Sequence, residues 1–227
     1  MAGLNNQLTN EQKQRLLAYG FCMIDNPFGV SDLDICAEVV RSDKLKQYCR
    51  VSTHYDETET RYWFKDGPNK QLSSYKEFCE DFINNSALRA KPFEVQSILA
   101  IKNEPCQNHQ KLRWHIDSFQ RQYKIFTYLS DVTENSGAFE VIPKTHKMGF
   151  KLRQLIKGKY FSIFKRSDWR VYRQLQDEMI DDLQGTSLEP IKITGKAGTT
   201  FIADTSAMHR ASPCIENSRL ALTAYIY

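Results

Sequence analysis

The chain is expected to fold as a mainly β protein with flanking α-helices. From residue 93 onward, short runs rich in β-branched and aromatic residues recur between turn residues: FEVQSILAI, KLRWHI, YKIFTYL, GAFEVI, IKIT, TTFIAD and RLALTAYIY. No helix of crossover length separates most of these runs, which argues for an antiparallel sandwich or barrel over a parallel sheet. Helix-period patterns are confined to the first third and to one interruption of the strand-rich half.

Taken in order, Thr9 and Gln12 can close a capping box, and NEQKQRLLAYG carries a first helix that Gly20 ends. Phe21 to Ile24 reads as a short strand, Asp32 to about Ser42 as a second helix, RYWF at 61–64 as a strand, and Ser74 to about Asn84 as a third helix. The stretch from Lys147 to about Gln184 mixes basic, aromatic and acidic residues at largely helical spacing and is expected as an insertion between strands. With no internal repeat and no Pro/Gly/Ser linker, one domain over 1–227 is expected: a helical N-terminal part to about 92, then a strand core to 227 interrupted at about 147–184.

The 31 basic and 27 acidic side chains leave a formal charge of +4, too mild for a dedicated nucleic-acid binder. The six cysteines, at 22, 36, 49, 79, 106 and 214, form no pair at metal-ligand or redox spacing. There is no basic stretch leading into an apolar one at the N-terminus, and no apolar run of the length a membrane helix needs. A soluble, cytoplasmic protein without a membrane or nucleic-acid partner is the expectation; the oligomeric state is left open.

The residues that carry chemistry centre on Trp114-His115-Ile116-Asp117, at the end of an expected strand. In an extended chain, residues i and i+2 face the same way, so His115 and Asp117 can offer an imidazole nitrogen and a carboxylate oxygen to one ion. Alone, such a pair reads more readily as a surface strand end than as a metal site. His209, just after TTFIAD, would complete a two-histidine, one-carboxylate facial triad, the set that leaves open positions on iron(II). Arg219 follows ten residues later at the head of RLALTAYIY, with Pro213 and Asn217-Ser218 supplying turn chemistry, so hairpin pairing is expected to bring it beside His209. A buried arginine there suits a carboxylate, because its planar guanidinium stays charged and pairs both oxygens. His146, in the PKTHK turn, reads as a structural or rim residue, and His54 and His109 as solvated. The basic residues of the insertion, Lys151 and Arg153 among them, read mainly as a solvated helical face, with one or two available to an anionic substrate group.

The runs HIDSF, KIFTYLSDVTENSGAFEVIPKTHK and GKAGTTFIADTSAMHRASP, with SRLALTAYIY, resemble the phytanoyl-CoA dioxygenase family of iron(II)/2-oxoglutarate oxygenases. The resemblance is clearest from about residue 93 to 227. It implies a double-stranded β-helix, a jelly-roll or cupin-like core. It also implies Fe(II) held by His115, Asp117 and His209, with 2-oxoglutarate anchored by Arg219 and O2 as the oxidant. Hydroxylation of a small-molecule substrate would then be coupled to oxidative decarboxylation of 2-oxoglutarate to succinate and CO2. Thr127 falls where the family often places a 2-oxoglutarate contact. Many such enzymes carry a serine two residues after the arginine; here Ala221 stands in that place, leaving Thr223, Thr127 or Ser212 to supply the hydroxyl. Asp117 argues against the halogenases, whose carboxylate ligand is replaced by a small residue. The absence of a second arginine in RLALTAYIY argues against the nucleic-acid demethylases. The alternative is a jelly-roll protein that binds metal and 2-oxoglutarate without turnover.

Overall fold

The computed structural model describes residues 6–26, 28–54, 57–66, 69–106, 114–156, 183, 186 and 188–227. The helices are α1 (Asn10–Tyr19), α2 (Val30–Arg41), α3 (Lys70–Asn85) and α4 (Met148–Ile156), with a 3-10 turn at Lys44–Gln47. The strands are β1 (Phe21–Ile24), β2 (Arg50–His54), β3 (Glu59–Phe64), β4 (Val95–Asn103), β5 (Tyr123–Tyr128), β6 (Phe139–Val141), β7 (Ile191–Ile193), β8 (Thr200–Asp204), β9 (His209–Ala211) and β10 (Arg219–Ile226). The expected mainly β fold with flanking helices forms.

Among the described residues every strand pairing is antiparallel. One sheet has seven strands in the order β1-β8-β5-β10-β4-β3-β2, and a second has three in the order β7-β6-β9. Side-chain alternation divides the large sheet into two working faces. On β10, Leu220, Leu222, Ala224 and Ile226 join Ile98, Ile125 and Ile202 in a core that also takes Leu16, Val40, Leu72, Tyr75 and Phe82 from the helices. The opposite face turns toward the small sheet, where Tyr128, Phe139, Val141, Phe201 and Ala221 form a second apolar cluster. Phe126 stacks on Phe201 with centroids 4.9 Å apart, and Phe139 lies 5.4 Å from Phe201, closing the interior with aromatic rings.

Local chemistry accounts for the first junction. Thr9 and Gln12 make the anticipated reciprocal cap of α1. Gly20 ends the helix at φ 91°, where its Cα lies so close to His146 that an added Cβ would stand 2.7 Å from the ring Nδ1. His146 Nε2 meets the carbonyl of Leu17 at 3.1 Å, so this buried histidine ties the 143–146 turn to α1.

Three expectations change. α2 and α3 each begin earlier than the sequence suggests; Asn69 caps α3 by accepting from the Leu72 amide. β9 pairs with β6 and not with β10, so His209 and Arg219 do not share a hairpin; they belong to different sheets and meet across the space between them. Lys151, expected on a solvated helical face, is buried and donates to the Phe119 carbonyl at 2.7 Å. His54 is half-buried against Ser52. His109, residues 111–113 of the KLRWHI run and positions 157–182 of the insertion lie outside the described residues.

Candidate metal centre

His115 and His209 are set side by side by the backbone. Each donates its amide to the other's carbonyl, at 3.0 and 2.9 Å, in an isolated antiparallel bridge between the two ligand segments. Two residues on, the Asp117 amide donates to Thr205 O at 2.9 Å, fixing the HxD segment to the loop that leads into His209. The three side chains therefore converge: one ligand atom from each of His115, Asp117 and His209 lies within 4.8 Å of the others. His115 Nε2 stands 3.9 Å from Asp117 Oδ1, and His209 Nε2 stands 3.5 Å from Asp117 Oδ2.

The donor set fits a divalent first-row metal. Cis ligands about 2.1 Å from one ion stand about 3 Å apart, so small side-chain adjustments complete the coordination. The contact of His209 Nδ1 with Ala207 O at 2.9 Å places the ring proton on Nδ1 and leaves the Nε2 lone pair facing the cluster. Phe139 stacks on the same imidazole at 5.3 Å and fixes its plane. Asp117 Oδ2 is buried without a well-formed hydrogen bond, an atom that a metal ion would satisfy.

Its nearest charge is Lys124, whose Nζ lies 2.7 Å from Oδ2, off the direction of a good hydrogen bond, and 3.7 Å from the Tyr225 ring centroid. Burial alone would push the Asp117 carboxyl up; the Lys124 ammonium, joined by His209 and His115 whenever their rings are protonated, holds it well below the usual carboxylate range. Burial likewise pushes Lys124 down, and Asp117 and Tyr225 together more than reverse this. Both shifts describe one buried ion pair.

A cavity of about 150 Å³ joins this cluster to Arg219. Its walls include Lys124, Phe126 and Tyr128 of β5, Arg219, Ala221, Thr223 and Tyr225 of β10, and Glu59 and Arg61 of β3. Arg219 is 5% exposed. Its Nε and Nη2 donate to Asn103 Oδ1 at 3.0 and 2.7 Å, and its Nη1 donates to Gly137 O. Thr223 Oγ1 is buried on this wall with no partner among the described residues.

Thr127 does not join the cavity. Its hydroxyl is paired with Thr200 at 3.1 Å, and strand alternation turns it to the helical face while Phe126 and Tyr128 take the cavity face. Ser212 is also engaged elsewhere, donating to Glu140 at 2.7 Å. Of the three hydroxyls considered for the place Ala221 leaves open, Thr223 is the one on the wall. Sequence reasoning missed Lys124, Asn103, Glu59 and Arg61. The alternation of Lys124 with the apolar Ile125 carried a signal for the first; the others become visible only through strand pairing.

Two antiparallel sheets facing each other around a two-histidine, one-carboxylate cluster define a cupin-like, jelly-roll protein with a candidate metal centre. The sequence profile described as Phytanoyl-CoA dioxygenase (PhyH) matches residues 18–217, and the chain belongs to that family of iron(II)- and 2-oxoglutarate-dependent oxygenases.

Solved structures share the fold. HygX from Streptomyces hygroscopicus, with nickel and 2-oxoglutarate bound, is 16% identical, with 96% of this chain and 87% of that chain covered and a TM-score of 0.62. The 2-oxoglutarate-dependent carbocyclase SnoK from nogalamycin biosynthesis is 16% identical over 96% and 83% of the two chains, with a TM-score of 0.66. A Pseudomonas putida prolyl-4-hydroxylase is 12% identical over 95% and 96%, with a TM-score of 0.58. No curated protein sequence matches the chain significantly. No helix among the described residues is long and apolar enough to cross a membrane.

Proposed function

We propose that this protein is a dioxygenase that binds Fe(II) through His115, Asp117 and His209 and hydroxylates a small-molecule substrate with O2 and 2-oxoglutarate. The observation that carries the reading is one cavity lined both by the candidate metal ligands and by a buried arginine. A dicarboxylate whose 2-oxo acid end chelates a metal needs a cation at its far end in a dry pocket, and the cavity has that arrangement.

When bound, the metal supplies the activation of O2 that couples loss of CO2 from the 2-oxo acid to hydroxylation. The chain's own residues do the rest. His209 keeps Nε2 free through its Nδ1 contact with Ala207, and Asp117 remains ionised beside Lys124. Arg219 receives the distal carboxylate, with Thr223 offering the hydroxyl that Ala221 cannot. The Phe126, Phe139 and Phe201 rings exclude water from the interior of the roll. A second cavity, of about 390 Å³, shares Asp117 and Tyr225 with the first and is lined by Ser118, Gln120, Arg89 and Arg121. We assign it to the substrate, and its two arginines favour one bearing an anionic group. HygX with hygromycin B bound and SnoN with nogalamycin RO bound are small-molecule complexes of the same fold, which supports this class. Six free cysteines support a cytoplasmic setting.

Succinate formation from 2-oxoglutarate, measured with Fe(II) and ascorbate, tests the assignment. Asp117→Ala is expected to abolish stoichiometric Fe(II) binding. Arg219→Ala is expected to keep the metal and weaken 2-oxoglutarate by about 2–5 kcal/mol. Wild-type protein that neither forms succinate nor binds 2-oxoglutarate would refute the reading.

A further inference from the structure

Arg219, Asn103 and Glu59 occupy one cross-strand row. Asn103 of β4 is the register partner of Arg219 on β10 and of Glu59 on β3. All three are buried, at 5%, 2% and 1% exposure. The Asn103 amide nitrogen donates to Glu59 Oε2 at 2.8 Å, while its oxygen accepts from Arg219 Nε and Nη2. Glu59 Oε1 accepts from Arg61 Nε at 2.5 Å. Burial alone would raise the Glu59 carboxyl, but Arg61 and then Arg219 bring it below its ordinary range. It is therefore a carboxylate, able only to accept, and this fixes which way the Asn103 amide points.

The donor count on Arg219 then becomes informative. A guanidinium has five N–H groups in a rigid fork. Asn103 takes the side-on pair, Nε and Nη2, and Gly137 O takes one proton of Nη1. What remains is one N–H on each terminal nitrogen, two donors that can serve an incoming carboxylate. Direct contact with Glu59 would place a competing carboxylate on the guanidinium; the neutral amide between them transmits orientation without that competition.

We infer that Asn103, held by Glu59, is a positioning residue that presents the remaining terminal N–H donors of Arg219 to the distal carboxylate of the co-substrate. The inference rests on the proposed 2-oxoglutarate function and adds a residue pair to it. Arg61 completes the local charge set. With Arg61, Arg219 and Glu59 ionised, the row carries one net positive charge, which a single incoming carboxylate neutralises.

The test uses anaerobic Fe(II)-loaded protein, titrated with 2-oxoglutarate and, separately, with pyruvate. Pyruvate has the same chelating head and no distal carboxylate. Binding is followed by the visible charge-transfer band of a metal-chelated 2-oxo acid. Asn103→Leu is expected to weaken 2-oxoglutarate about tenfold to a hundredfold, the range for lost hydrogen bonds to a charged group. Pyruvate binding and Co(II) affinity should be unchanged, and kcat at saturating 2-oxoglutarate should stay near wild type. Asn103→Thr, a strand-compatible residue too short to span Glu59 and Arg219, is expected to give the same pattern and covers the case in which leucine does not fold. Wild-type affinity for 2-oxoglutarate in a folded variant overturns the inference, as does an equal loss of pyruvate binding. A wild-type protein that gives no band with either 2-oxo acid overturns the proposed function and this inference together; a normal wild-type band with insensitive Asn103 variants overturns this inference alone.

Discussion

Lys124→Met removes a buried ammonium while keeping most of the side chain's length. In the structure Nζ lies 2.7 Å from Asp117 Oδ2, with the two side chains 6% and 20% exposed. Removing one member of a buried ion pair destabilises by about 3–5 kcal/mol, because the other charge is left without a partner. Asp117 keeps a fifth of its side chain in water, so the lower end, about 3 kcal/mol, applies. Methionine sulfur against the Tyr225 ring offsets part of the lost cation–π contact. For a chain of this size, about 2–4 °C per kcal/mol converts this to a fall in Tm of about 6–12 °C in metal-free protein. A divalent ion at the triad supplies positive charge to the same carboxylate. The gap between wild type and variant is therefore expected to narrow in saturating Co(II). Thermal melts of both proteins with and without Co(II) read this directly. A gap of the same size in both conditions would mean that Lys124 acts independently of Asp117, and no gap without metal would remove the ion-pair argument altogether.

Two further predictions concern stability. Gly20→Ala forces a left-handed backbone on a residue with a Cβ, at about 1–2 kcal/mol, and drives that Cβ into His146, breaking its bond to Leu17 at about 1 kcal/mol more. Urea unfolding should register a loss of about 2–3 kcal/mol, and a variant as stable as wild type would show that the α1–β1 junction relaxes freely. Lys151 is pushed down from its ordinary 10.5 to about 8 by burial, with Asp204 opposing. Between those values the unfolded chain binds more protons than the folded one, so the lysine's contribution makes stability rise as pH climbs through that window. Lys151→Met removes this contribution. Its stability should exceed that of wild type near neutral pH and rise less steeply above about pH 8; parallel pH profiles would contradict the assigned burial.

The sequence made the strands legible because their apolar residues alternate, as in RLALTAYIY, where every second side chain enters the helical core. The triad was legible for the same reason: HxD places two candidate ligands on one face, and the segment after TTFIAD supplies the third candidate. Pairing partners were not legible. The hairpin expected between His209 and Arg219 follows from closeness in sequence, yet the turn at 212–218 carries the chain from one sheet to the other. Thr127 was placed by position along β5 without its facing, and alternation set it against Thr200. Glu59 and Arg61 come from β3, far from the ligands in sequence, and only the row Arg219-Asn103-Glu59 brings them to the cavity. Lys151 misled because a basic residue in a basic helix looks solvated.

The alternation on β10 bears on how this family can change. Arg219, Ala221, Thr223 and Tyr225 face the cavity while Leu220, Leu222, Ala224 and Ile226 face the helices. Under the proposed function, point substitutions on the cavity face are expected to alter co-substrate or substrate preference without touching the core behind it. Inserting or deleting one residue within the strand would exchange the two sets, turning the arginine toward the helices and leucines toward the His115-Asp117-His209 cluster. Variation at this wall is thus open to replacement and closed to changes in length, and a library for redirecting the enzyme should hold β10 at constant length while diversifying alternate codons.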